Sequence, residues 1–68
     1  MMHDPTVARL ASLRDARTAW LRQRAMATQV ATPAAQAFWR RQAAATEAQI
    51  DEMLDDLNRL RELYPVAT

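Results

Sequence analysis

From residue 39 onward a helical seam repeats along the chain: Trp39, Ala43, Thr46, Ile50, Met53, Leu57, Leu60 and Tyr64 follow one another at alternating intervals of four and three. That rhythm marks one helix packed along another, and Leu54 widens the stripe. The first half of the chain is less regular. Leu10, Leu13, Trp20, Leu21, Ala27 and Ala31 gather on one side of a helical projection, with Val7 at the edge. Arg17 and Arg24 fall on the same stripe, so charge interrupts its middle.

The breaks between these stretches are few. Asp4-Pro5 reads as a helix start, because the Asp side chain can cap the first amides and proline fits the first helical position. Thr32-Pro33 repeats the signal in mid-chain, and Pro65 follows the last periodic residue as a stop. The pattern predicts helices over residues 5–31 and 33–64, in one all-α domain spanning 1–68. The residue before a proline is driven out of helical geometry, and both segments have an apolar face to cover. An antiparallel two-helix hairpin, coiled-coil-like, is therefore the expected architecture; one long kinked helix is the alternative. Its expected core is Leu10, Leu13, Trp20, Leu21, Trp39, Ile50, Met53 and Leu57. Folding about Thr32 places Trp20 against the run Ala43-Ala44-Ala45, Leu13 near Met53, Leu10 near Leu54 and Leu57, and Arg17 near Glu47.

Composition changes the picture in one respect. At 68 residues the chain lies near the lower limit for a self-sufficient core, and many of its hydrophobic residues are alanine. Small folds are often reinforced by disulfides, metals or association. Without cysteine, disulfides and thiolate metal sites are excluded, which leaves a homo-oligomer or a partner. Charge is divided unevenly: residues 1–45 hold seven Arg against Asp4 and Asp15, whereas residues 46–68 hold six acids against Arg59 and Arg61. A basic start followed by an apolar run is missing, so no secretory signal is expected. The longest uncharged stretch contains Pro33, and no membrane span is expected either. The expected location is the cytoplasm.

Candidate chemistry is sparse. His3 is the only histidine, and Ser12 lies far from it along the chain, so no nucleophile–base pair is expected. Asp51, Asp55 and Glu62 read as a solvated outer face without a second ligand type for a metal. No catalytic residue, metal or cofactor is expected. Arg40-Arg41 beside Phe38 and Trp39 mixes basic and aromatic side chains in the manner of a nucleic-acid contact. The acidic second half opposes that use, and the simpler reading seats Trp39 in the seam while the arginines reach water. Nucleic acid is not an expected partner.

Several apolar side chains exceed what a two-helix seam covers. Phe38 and Leu63 lie off the stripe, and the longer second helix should carry Leu60, Leu63 and Tyr64 past the start of the first. Together with Leu54 these are the candidate protein-binding residues, because surplus apolar surface on so small a chain is usually covered by a partner.

The start of the second helix, Ala34-Ala35-Gln36-Ala37 followed by Trp39, Ala45, Glu47 and Ile50, resembles the small helical-hairpin co-chaperones of type III secretion needle subunits, the YscE-like proteins. Length and two-helix plan are similar over nearly the whole chain. The resemblance implies a bacterial cytoplasmic chaperone partner built of helical repeats, and through it a needle subunit kept from premature polymerisation. The turn Thr32-Pro33 lacks the glycine often found in that family, and Thr46 stands where a large aliphatic is usual. A generic helical adaptor or oligomerisation module is the alternative.

Overall fold

The computed structural model describes residues 5–63, and among them the chain is an antiparallel hairpin of two α-helices: α1, Pro5–Gln29, and α2, Pro33–Leu63. The proposed cap Asp4, the stop Pro65 and the last seam residue Tyr64 lie outside the described residues. A 31-residue helix is about 46 Å long at 1.5 Å per residue. The molecule measures 51 × 20 × 18 Å, so both helices run along the rod and meet over one interface.

α1 stops two residues earlier than the sequence pattern predicts. Thr32 explains the difference, because its side chain serves α2 instead of prolonging α1. The Ala35 amide donates to Thr32 Oγ1 at 3.2 Å, and the Gln36 amide donates to the Thr32 carbonyl at 3.0 Å. Thr32 is thus an N-cap, with Pro33 in the first helical position where its missing N–H costs nothing. The other side of the reversal is closed by Gln36, whose Nε2 donates to the Val30 carbonyl at 3.2 Å. No described residue has a positive φ, so the chain reverses through Val30, Ala31 and Thr32 without needing glycine.

The α2 seam lies where its periodicity places it. Ala43, Thr46 and Leu57 are buried, and Trp39, Ile50, Met53 and Leu60 are half-buried. The α1 seam is displaced from the expected one. Leu13, Ala16, Trp20, Gln23, Ala27 and Val30 face α2, at intervals of three and four. Leu10 and Leu21, expected in the core, are 51% and 53% exposed, and Ala31 is exposed as well. The helix turns its small and polar positions inward because only these let two helices approach closely along Ala27, Ala43 and Thr46. Two arginines then leave the interface: Arg17 and Arg24 stand beside the seam, both exposed.

One polar contact sits in this seam. Thr46 Oγ1 donates to Gln23 Oε1 at 2.7 Å, and the same hydroxyl lies 3.1 Å from the Gln42 carbonyl, so one proton serves two acceptors. Among the described residues no buried side-chain nitrogen or oxygen lacks a hydrogen-bond partner.

This packing separates neighbouring alanines. Ala43 is buried, whereas Ala45 is exposed. Ala43→Leu should overpack the seam and destabilise the hairpin by about 1–3 kcal/mol. Ala45→Leu should change stability by no more than about 0.5 kcal/mol. Urea denaturation followed by circular dichroism measures both; equal effects would place the seam elsewhere.

Candidate functional site

Beside the seam, one flank of the hairpin is hollow. α1 presents Leu10, Arg14 and Arg17 there, α2 presents Glu47, Asp51 and Leu54, and half-buried Leu13, Trp20 and Ile50 lie between them. The groove so formed has a volume of about 520 Å³. It continues toward the turn as a second hollow of about 480 Å³, bounded by Trp20, Arg24, Ala27, Arg40, Ala43 and Ala44. Trp20 and Glu47 border both.

The groove exists because the seam is built of small residues at one end and of offset leucines at the other. Alanines at 27 and 43 cannot fill the space over the Trp20 indole. That space is closed partly by Arg24, whose guanidinium carbon lies 4.8 Å from the ring centroid. A cation stacked on an indole face gains from the ring quadrupole while its other side stays in water. Arg24 therefore fits beside the seam as a lid on Trp20.

Charges are arranged by helix. On this flank α1 is basic and α2, apart from Arg40 near the turn, acidic, yet Arg17 and Glu47, expected to pair, do not come within ion-pair distance. Among the described residues the ion pairs are Arg9 with Asp56 at 3.7 Å and Arg59 with Asp56 at 3.8 Å. Arg9–Asp56 ties the open end of α1 to α2, and the sequence pattern offered no sign of it because Arg9 lies outside the expected apolar stripe. Among the described residues no group of three His, Cys, Asp or Glu side chains is placed to hold a metal ion.

The five candidate protein-binding residues do not form one face. Phe38 is 45% exposed and packs edge-to-face on Trp39, with centroids 5.2 Å apart, beside the turn. It stands about 37 Å along α2 from Leu63. Leu54, 44% exposed, belongs to the groove. Leu63, 72% exposed, is about 180° around the helix from Leu54, since nine residues separate them at about 100° each. Leu60 is half-buried; the Arg9–Asp56 register sets it level with the start of α1, so it does not overhang. Tyr64 lies outside the described residues.

No helix among the described residues is long and apolar enough to cross a membrane. No family model matches the chain, and no curated protein or solved structure is detectably similar to it.

If Arg24 covers Trp20, Arg24→Ala should destabilise the hairpin by about 0.5–1 kcal/mol. It should also red-shift the emission of Trp20, read in a Trp39→Phe background. Unchanged emission would mean that the guanidinium does not shield the indole.

Proposed function

We propose that this chain is a non-catalytic protein-binding hairpin, working as a cytoplasmic co-chaperone for a helical-repeat chaperone that holds a type III secretion needle subunit. The resemblance at Trp39, Ala45, Glu47 and Ile50 supplies the specific partner class. The observation that carries the binding role is the surplus of exposed apolar side chains, with Leu63 at 72% the most exposed large one among the described residues. A rod with one internal interface leaves such side chains in water unless another protein covers them.

The end of α2 is the best-placed contact for that partner. Leu60 and Leu63 are three residues apart on one side of the helix, the spacing by which a helix anchors in a groove between others. Leu60 is already half covered by α1, so Leu63 is the principal anchor. A helical-repeat protein offers the matching concave surface.

Co-expression and pull-down with the candidate chaperone test this reading. Leu63→Asp should abolish the complex while leaving the hairpin's helicity intact, because this side chain contributes little to the seam. Leu54→Asp, on the opposite flank, should leave the complex in place. Joint substitution of Arg40 and Arg41 by Ala should have no effect on it. Retention of the chaperone by Leu63→Asp would overturn the assignment of this face. Salt-sensitive DNA binding lost with Arg40 and Arg41 would favour a nucleic-acid contact instead.

A further inference from the structure

We infer that a second copy of this chain covers the groove, through a two-fold symmetric contact that joins two hairpins into a four-helix bundle. The inference rests on the groove and its charges and not on the co-chaperone reading, which concerns the opposite side of α2.

The groove flank of α1 holds two rows of residues at seven-residue intervals. Val7, Arg14 and Leu21 make one row; Leu10 and Arg17 belong to the next. Val7 is 68% exposed, Leu10 51% and Leu21 53%, so among the described residues three of the six exposed large hydrophobics share this flank of α1. The matching rows of α2 hold Ala44 with Asp51, and Arg40, Glu47, Leu54 and Arg61 in turn. Along the groove itself, apolar contact is framed by Arg14 and Arg17 on α1 and by Glu47 and Asp51 on α2. None of Arg14, Arg17, Glu47 and Asp51 takes part in the ion pairs of the described residues.

Two symmetric arrangements bring these flanks face to face. A two-fold axis lying across the helices would stack α1 on α1 and α2 on α2, setting arginine against arginine and acid against acid. An axis along the helices lays α1 of each copy over α2 of the other. Like-charge contact is costly and opposite charge is steering, so the second arrangement is selected. It also preserves the level at which Arg9 meets Asp56 within one hairpin. At that level Leu10 meets Leu54 of the second copy, Arg14 meets Asp51, Arg17 meets Glu47, and Leu21 meets the small, exposed Ala44. Self-complementarity makes each contact occur twice. An unfavourable meeting falls at the turn end, where Arg24 approaches Arg40 of the second copy.

Analytical ultracentrifugation of the whole chain at micromolar concentration is the test, with circular dichroism to follow helicity. The wild type should sediment as a dimer. Arg14→Glu with Arg17→Glu makes both groove helices acidic, and Glu47→Arg with Asp51→Arg makes both basic. Each variant alone should raise the dissociation constant by at least about tenfold, and mixing the two should restore association as a heterodimer, an outcome that unfolded chains would not produce. Arg40→Glu should tighten the wild-type dimer by relieving its clash with Arg24. A wild-type monomer, a dimer indifferent to all of these changes, or charge variants that fail to combine on mixing would overturn the inference.

Discussion

Thr46 reaches Gln23 across the seam at 2.7 Å, and the close approach of the two helices depends on what surrounds that bond. Ala27 and Ala43 are buried beside it, so no bulky side chain holds the helices apart there. A polar pair in an otherwise apolar seam restricts register, because any slide leaves an amide and a hydroxyl without partners. A fully leucine-lined interface would permit neighbouring registers at similar energy. The turn imposes a second restraint in the same sense, with Thr32 capping α2 and Gln36 holding the Val30 carbonyl just past the end of α1. Between these restraints and the Arg9–Asp56 pair at the open end, one alignment of the hairpin is specified along its length.

Small side chains that permit close approach also limit burial. No side chain among the described residues is fully enclosed, and the buried set consists of two alanines, one threonine and one leucine. The hydrophobic term scales with apolar area removed from water, so a seam of this kind stabilises the fold modestly. The same geometry moves larger residues outward. Leu10, Leu21 and Leu54 flank the seam because its interior positions are taken by Ala16, Gln23 and Thr46. A weak interior and an apolar exterior are consequences of one choice of side-chain size, and both favour association with another helix surface.

The heptad from Trp39 to Leu60 and the two prolines at 5 and 33 were enough to predict the element types, their order and the antiparallel hairpin. Those features act locally: a proline ring restricts its own backbone and its predecessor's, and a four–three repeat puts its residues on one side of a helix whatever the partner. In α1 the seam lies about one step around the helix from the stripe that hydrophobicity marks. Leucines at 10 and 21 drew the stripe toward themselves, although Leu13, Ala16, Trp20, Gln23, Ala27 and Val30 hold the same four–three spacing as α2. Half of that repeat is Ala16, Gln23 and Ala27, side chains that hydrophobicity does not single out.

Which of two possible stripes turned inward was decided by the opposite helix. Only a neighbour presenting Ala43 and Thr46 makes Ala27 and Gln23 better seam residues than Leu21 and Arg24. The groove has the same origin, since it is the space left between Leu10 and Leu54 once those small residues meet. By itself the sequence determined that two helices form, where they break, and which side of α2 is apolar, because each of these depends on residues close together in the chain. The tertiary structure alone decided the rotation of α1 about its axis, the exposure of Leu10 and Leu21 that follows from it, and the meeting of Thr46 with Gln23. Each of these depends on the distance between two helices, and that distance is set by side-chain volumes contributed from both.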